Sequence, residues 1–442
     1  MKKNPLVPVE TTKEESAPIT ITGKPLSQFY KLPFEKGSRV LRLAVLELHN
    51  TFSVGKKPDL PVIQSLSFDQ GLLTVHVKLG GEEASVYIAV EYDCLLVSCS
   101  VDTDESYLGR YAYLTLRAMM RSGYCDFQEY YWPGCFALGN KRSSYVDVVK
   151  KPGGFTITLK KKFSGLFRPG DDLPDVTERT VVPREWLLDK YTMARLAPVS
   201  IGYCFANTDL LNFHSNHYPF LIPYVFVATA YLKTVKSFKR FVFNPHDVDG
   251  ISLSPQQEEL NSICFAMKEI AAIRFNANGH LPEKVAETNK LNNANQLVLL
   301  KLWNKALLLL MQQRFTHYFY TYGMRNVPGK PVMRDMKRIE FSMEVPVLSF
   351  VLRDEGDYYE LELKIKVKGK LLKISSDSIA LFLVCDSAKP YLWYLLEAEM
   401  DYKLVLFFSK VNFKVQVIKG YYREFFEGFV EGVGRWYEVR RG

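Results

Sequence analysis

The chain has 442 residues, which exceeds the roughly 250 to 300 residues over which one hydrophobic core can grow. Two or three domains are therefore expected. Hydrophobic residues make up 47% of the chain and charged residues 24%, a balance that excludes general disorder. The 57 basic and 48 acidic side chains give a net charge of +9, which favours polyanionic partners.

The cysteines indicate a reducing compartment. The seven are widely spaced, odd in number and include no Cys-x-x-Cys pair, so free thiols and a cytoplasmic location are predicted. Polar and acidic residues follow the first lysines, which is not the pattern of a secretory signal. The longest weakly charged segment, 210–232, contains Pro219 and Pro223 as well as two histidines, so no membrane span and no membrane partner are predicted.

The patterns in chain order predict an α+β fold. Residues 1–38 are rich in Pro, Thr, Glu and Lys and are expected to form a loose arm. A β-rich domain is predicted over 39–168, with strands at 72–79, 85–90 and 95–99 and a helix over 106–122. The pair Gly80-Gly81 is a strong hairpin signal between the first two strands. This part of the sequence therefore predicts a β-β-β-α unit.

The second half is predicted to contain a helical region and a further α+β domain. A basic hairpin covers 150–163, and the Gly, Pro and Asp residues of 168–174 predict a linker. Mainly helical structure is predicted over 175–335: Ser254, Pro255 and Gln257 are typical of a helix start, and apolar spacing predicts a longer helix over 293–317. Alternation returns after Pro346, so 336–442 is predicted to form an antiparallel-sheet α+β domain.

The sequence contains no recognisable catalytic constellation. A nucleotide-hydrolysing motor needs a Gly-rich loop ending in Lys and Ser or Thr before a helix. The nearest segments, Gly329-Lys330-Pro331 and Gly23-Lys24-Pro25, place proline after the lysine and lack the first glycine. No Gly-x-Ser-x-Gly elbow and no local Cys and His signature occur either. The protein is therefore predicted not to be an enzyme and to bind no cofactor.

One segment has the spacing of a metal site. His214 and His217 form a His-x-x-His pair, and Cys204 upstream offers a third potential ligand. No carboxylate or second thiol nearby completes a tetrahedral site, and aromatic residues flank the pair. The alternative interpretation is a buried or capping pair of histidines.

The segment 72–120 resembles a SWIM domain, the zinc module of the form Cys-x-Cys, spacer, Cys-x-His found in many bacterial Swi/Snf-type proteins. A hairpin leads to Cys99, which keeps the first ligand position, whereas Val101, Gly109 and Tyr111 stand at the other three. The resemblance implies a retained fold and a lost zinc ion, because valine and glycine carry no donor side chain. Val101 and Tyr111 are expected to join the core instead. The rest of the chain, especially 346–352, 391–396 and 425–430, is similar to the helicase-associated region that precedes the motor in the same proteins, particularly in Bacteroides-like bacteria.

This resemblance implies a non-catalytic accessory or regulatory module of a Swi/Snf-type DNA translocase system. The expected partners are nucleic acid and a separately encoded Swi/Snf-type motor. Two basic-aromatic clusters are the candidate contacts, the first at 160–163 and the second at 233–241. In the first cluster, strand alternation would place Lys160 and Lys162 on one face beside a stacking Phe163. The alternative is a protein-interaction scaffold in which lysines only protect exposed strands. The candidate nucleic-acid-binding residues are Lys160, Lys161, Lys162, Phe163, Lys236, Lys239 and Arg240.

Overall fold

The computed structural model shows an α+β protein that divides into two compact units. Unit 1 comprises Met1–Asp172, Arg353–Glu360 and Val415–Glu431, and unit 2 comprises Leu173–Leu352, Leu361–Lys414 and Gly432–Gly442. The residues that the structure describes are 20–21, 24–25, 28–34, 38–51, 60–121, 126–136, 143–151, 154–184, 199–208, 217–231, 233–272, 274, 282–321, 327 and 329–442, with the backbone alone at 20–21, 24–25 and 282–286.

Within these residues the strands are, in chain order, β1 Thr20–Ile21, β2 Lys24–Pro25, β3 Tyr30–Pro33, β4 Val62–Asp69, β5 Leu72–Leu79, β6 Glu82–Val90, β7 Cys94–Cys99, β8 Val146–Lys151, β9 Gly154–Leu159, β10 Val199–Thr208, β11 Phe220–Ala228, β12 Val235–Phe241, β13 Thr316–Thr321, β14 Lys337–Arg338, β15 Glu340–Ser342, β16 Val347–Asp354, β17 Tyr358–Val367, β18 Lys370–Leu371, β19 Ile379–Ala380, β20 Leu383–Asp386, β21 Lys389–Leu395, β22 Lys414–Ile418 and β23 Glu438–Arg441. The α-helices are α1 Leu43–Leu48, α2 Arg110–Arg121, α3 Pro255–Ala271, α4 Pro282–Leu310, α5 Glu399–Lys410, α6 Tyr422–Phe425 and α7 Glu431–Trp436, with a π-helical turn at Phe426–Val430.

Unit 1 contains a five-stranded antiparallel sheet in the order β3-β7-β6-β5-β4, with α2 packed on one face. The predicted β-β-β-α pattern is confirmed over β5, β6, β7 and α2. Gly80 and Gly81 have φ angles of 59° and 95°, the left-handed pair that a tight hairpin requires. Buried side chains alternate along β5 and β6, so one face of the hairpin supplies the core.

The predicted loose arm is wrong at its C-terminal end. Strand β3 pairs with β7, with Tyr30 opposite Val97 and Pro33 opposite Cys94. Phe29 is fully buried, which fixes the chain before the strand begins. The polar composition of 1–38 hid a short edge strand, because four residues are too few to produce a clear alternation. Residues 1–19 lie outside the described residues.

In unit 2 the prediction of a mainly helical region over 175–335 is wrong. Helices α3 and α4 are present, but a five-stranded sheet in the order β12-β11-β10-β13-β14 accompanies them. Strands β10 and β11 are buried on both faces, and such continuous apolar runs carry no period that separates a strand from a helix. The predicted start of α3 is confirmed, because Ser254 and Gln257 form a reciprocal capping box.

The C-terminal part of unit 2 has the predicted strand-rich character, in two sheets. One sheet has the order β15-β21-β20-β19, and in the other β23 lies parallel to β16 while β18 pairs with β17. The predicted boundary at 336 does not separate compact units, since 336–352 belongs to unit 2 together with the segment before it.

A buried ion pair joins distant parts of unit 2. The Arg179 guanidinium donates two hydrogen bonds to the Asp401 carboxylate, at 2.9 and 3.1 Å, and the Tyr437 hydroxyl donates a third at 2.5 Å. Asp401 is fully buried, and Glu397 lies 3.5 Å from the same guanidinium. Burial raises the pKa of Tyr437, which keeps this hydroxyl protonated as a donor.

Candidate nucleic-acid interface

The first predicted cluster does not have the geometry that the sequence suggested. Strand β9 ends at Leu159, and a 3₁₀ turn follows at Lys161–Phe163, so strand alternation does not orient these lysines. Phe163 is only 7% exposed and packs edge-on against Tyr145 and Tyr358, with ring centroids 4.9 and 5.2 Å away. Its ring is therefore part of the core of unit 1 and is not available to stack on a base.

Two of the three lysines in this cluster are engaged within unit 1. The Lys160 ammonium donates to the Ser143 carbonyl oxygen at 2.6 Å. The Lys162 ammonium lies 5.3 Å from the centroid of the Tyr358 ring, and its pKa is raised by a hydrogen bond to the Tyr358 hydroxyl and by nearby Glu355 and Glu360. Lys161 is exposed. These acidic neighbours make the segment a poor phosphate-binding surface.

The second cluster lies on β12, an edge strand of the large sheet in unit 2. Lys236, Lys239 and Arg240 are exposed, whereas Phe238 and Phe241 are each 2% exposed. Phe238 packs against Tyr224 and His317 in the core. The aromatic rings of β12 therefore anchor the strand in the core, and the basic side chains of β12 remain at the surface.

A β-bulge sets the spacing of the basic side chains on β12. Phe226 of β11 pairs with Phe238, and its preceding neighbour Val225 pairs with Arg240. Lys239 is therefore the extra residue of the bulge. Nε and an Nη of Arg240 donate to the Asp247 carbonyl oxygen at 3.0 and 2.6 Å, which orients the guanidinium. From 233 to 241 every charged residue is basic: Lys233, Lys236, Lys239 and Arg240.

The four residues compared above with the SWIM ligand positions, Cys99, Val101, Gly109 and Tyr111, have different environments in unit 1. Cys99 is buried at the end of β7, and burial raises the pKa of its thiol. Tyr111 is 8% exposed and its hydroxyl donates to Glu82, as expected for a residue that joins the core. Val101, however, is 58% exposed, so the expectation that it replaces the zinc by core packing is wrong.

Hydrogen bonds close the loop between β7 and α2. The amide of Gly109 donates to the Thr103 hydroxyl at 3.1 Å, and the amide of Tyr111 donates to the Asp102 carboxylate at 3.4 Å. A Cβ atom on residue 109 would lie 2.1 Å from Oδ1 of Asp102 and 2.5 Å from its carbonyl oxygen. Glycine is therefore required here for close packing, and the free amides at the start of α2 receive side-chain partners.

The three residues proposed as metal ligands have different positions. His214 lies outside the described residues. Cys204 is fully buried on β10, with its sulfur 3.9 Å from that of Met336. The buried His217 ring bonds to the Tyr218 carbonyl oxygen at 3.0 Å, and burial lowers its pKa. Within the part of the chain that the structure describes, no three His, Cys, Asp or Glu side chains form a group suited to a metal ion.

A cavity of about 810 Å³ in unit 2 was not predicted from the sequence. Its lining comes from segments as far apart as Asn207 and Ser409, and no local motif connects them. The serine-rich run at 375–378 is the sole local signal that could have drawn attention to it. Cavities of this size are typical of small-molecule sites.

Compared with models of protein families, with curated proteins and with solved structures, the chain matches none of them. Among the described helices, none has the length and apolar character needed to cross a membrane. The fold thus defines the protein as α+β.

Proposed function

We propose that this chain is a non-catalytic accessory module of a Swi/Snf-type DNA translocase system, acting in the cytoplasm beside a separately encoded motor. In this proposal the module contacts the phosphate backbone of nucleic acid through the basic edge of β12, defined as Lys236, Lys239 and Arg240 on the strand together with Lys233 just before it. The observation that carries the proposal is the exposure of Lys236, Lys239 and Arg240 on one strand whose aromatic residues are buried, with the exposed Lys233 just before it.

The geometry favours phosphate contact without base recognition. Lysine and arginine side chains bind phosphate oxygens regardless of sequence, whereas base discrimination needs side chains directed at base edges in a groove. Phe163, Phe238 and Phe241 are buried, so stacking on unpaired bases is not part of the proposed contact. Binding should therefore be indifferent to sequence and should weaken steeply with salt.

The test is fluorescence anisotropy with labelled duplex and single-stranded DNA across a salt series. Replacing Lys236, Lys239 and Arg240 together with glutamine should flatten the slope of log affinity against log salt by about 2 to 3, because each lost phosphate contact contributes roughly 0.7 to 0.9. The matched control replaces Lys370, Lys373 and Lys389, three exposed lysines of unit 2 outside β12, with glutamine. It removes the same charge.

Equal weakening by the two triple variants would mean that net charge and not β12 is responsible, and the proposal would be abandoned. Absence of binding by the wild-type chain at low salt would also overturn it. The non-catalytic character has its own measurement: the chain alone should hydrolyse no ATP, with or without DNA, because no phosphate-cradling loop occurs in its sequence.

The alternative function is a protein-interaction scaffold, which the edge position of β12 favours. An edge strand carries backbone groups that pair with an added strand, and exposed lysines there protect against aggregation. Affinity capture from native cells separates the two functions. A motor partner that remains bound after nuclease treatment, together with no DNA binding by the isolated chain, would favour the scaffold.

A further inference from the structure

The cavity in unit 2 lies among strands β10, β13 and β14, the segment 375–393 and helix α5. Its volume of about 810 Å³ falls within the range of small-molecule sites. None of the basic residues of β12 lines it, so its ligand is independent of the proposed nucleic-acid contact.

Trp393 brings a buried polar group to the lining of this cavity. The side chain of Trp393 lines the cavity and is 3% exposed, and its buried indole N–H donates to no atom of the described residues. Its ring stacks on that of Tyr318, with centroids 5.6 Å apart and an interplanar angle of 14°. Asn207 donates to the Tyr318 hydroxyl at 2.9 Å and fixes this ring in turn. An unpaired buried donor is costly, so a bound acceptor would be favoured.

Hydroxyl groups are concentrated on another part of the lining. Ser375, Ser378 and Ser387 lie within hydrogen-bond distance of one another, with oxygen separations of 2.8, 3.0 and 3.2 Å. Each hydroxyl provides one donor and two acceptor lone pairs, so the cluster retains capacity for a polar ligand beyond its internal bonds. Sugar hydroxyls and phosphate oxygens are groups that such a cluster binds.

Charged side chains and partly exposed tyrosine rings make up a further part of the cavity lining. Lys337 and Arg338 contribute two positive charges against one negative charge from Asp377. Tyr320 and Tyr391 line the cavity while remaining 43% and 48% exposed, so part of each ring is available to a flat ligand. The lining therefore combines aromatic faces, hydroxyls and a cationic pair.

We infer that this cavity binds a nucleoside monophosphate. The tyrosines would contact the base, the serine hydroxyls the sugar, Lys337 and Arg338 the phosphate, and the Trp393 indole would donate to an acceptor of the ligand. Arginine and lysine suit a phosphate because several N–H groups meet its oxygens and the opposite charges attract.

Isothermal titration calorimetry with the full chain tests the inference, using the four common ribonucleoside 5′-monophosphates, the corresponding nucleosides and inorganic phosphate. A monophosphate should bind more tightly than its nucleoside or phosphate alone. Trp393→Phe should weaken that binding roughly three- to tenfold, the effect of one hydrogen bond. Arg338→Gln should weaken the monophosphate roughly two- to fivefold, as for an exposed ion pair, and leave the nucleoside unaffected.

The matched controls are Trp436→Phe and Lys370→Gln, which remove an indole N–H and a positive charge in unit 2 away from the cavity lining. Both should bind like the wild type, and a thermal melt verifies that each variant is folded. No heat of binding at millimolar monophosphate, or binding that neither cavity variant changes, would overturn the inference. Equal affinity for phosphate alone, or for the nucleoside alone, would overturn it too. The β12 triple variant should retain monophosphate binding, so the two proposals fail independently.

Discussion

Substitution of Gly109 by alanine is expected to destabilise the loop between β7 and α2. The added Cβ would lie 2.1 Å from Oδ1 of Asp102. Rotation of the Asp102 side chain relieves this contact only at the expense of its hydrogen bond from the Tyr111 amide. It would also lie 2.5 Å from the Asp102 carbonyl oxygen, and relief of that contact requires movement of the backbone. The bond from the Gly109 amide to Thr103 would be strained by the same movement.

The expected loss of stability is about 2 to 4 kcal/mol. Overpacking in a well-packed site costs roughly 1 to 3 kcal/mol, and each weakened hydrogen bond adds about 0.5 to 1.5 kcal/mol. Asp102→Ala removes one of the two clashes with residue 109 and leaves the clash with the carbonyl oxygen. The double variant should therefore be less destabilised than the sum of the single variants, with a coupling of about 0.5 to 3 kcal/mol.

Urea denaturation measures the global effect, and hydrogen exchange followed by mass spectrometry reports on the amides of α2. The matched control is Gly428→Ala in the same unit, because a Cβ there meets no atom within 4 Å. Its stability should be unchanged or slightly higher, since alanine favours helical backbone over glycine by up to about 1 kcal/mol. If Gly109→Ala unfolded at the wild-type urea concentration with unchanged exchange in α2, the close packing at Asp102 would be refuted.

Three further outcomes are expected. Asp401→Leu should cost about 3 to 5 kcal/mol in urea melts, because the Arg179 guanidinium loses both of its hydrogen bonds to Asp401, the Tyr437 hydroxyl loses its acceptor, and Glu397 lies 3.5 Å from the guanidinium. Tyr437→Phe should cost about 1 kcal/mol, and Arg179→Met combined with Asp401→Leu should recover much of the loss. His317 is buried, and its pKa is lowered to about 4, chiefly by desolvation. Between pH 6.5 and 4 the unfolded state therefore binds more protons than the folded state. The free energy of unfolding should fall by up to about 3 kcal/mol as the pH drops through that window. The purified protein should contain no stoichiometric zinc by elemental analysis, and chelator should leave its Tm unchanged.

Each of these outcomes has a contradicting result. A double variant as unstable as Asp401→Leu alone would mean that the lost pairing of the Arg179 charge with Asp401 is not the cause of the loss. His317→Gln should flatten the acid side of the stability profile relative to wild type, and parallel profiles would exclude His317 as the titrating group. One tightly held zinc ion per chain would contradict the lost-metal interpretation and redirect attention to Cys204 and His217.

The sequence by itself determined the elements whose signals are local. Gly80-Gly81 predicted the hairpin between β5 and β6 because a tight turn needs left-handed backbone at both positions. Ser254 and Gln257 predicted the start of α3 because a capping box satisfies amides within one turn. The α+β class followed from such elements, since alternation and helical spacing occur in different parts of the chain.

Only the tertiary structure decided which side chains are available for function. Phe163 and Phe238 stand beside lysines in the sequence, yet both are buried. Phe163 lies in a 3₁₀ turn and not on a strand, and for Phe238 on β12 a period of two does not say which face meets the core. Lys160 is engaged by the distant Ser143 carbonyl oxygen, and Val101 is exposed where a core residue was expected. The cavity around Trp393 depends on segments that are remote in the chain. Burial and hydrogen-bond partners are properties of packed neighbours, and sequence adjacency does not determine those neighbours.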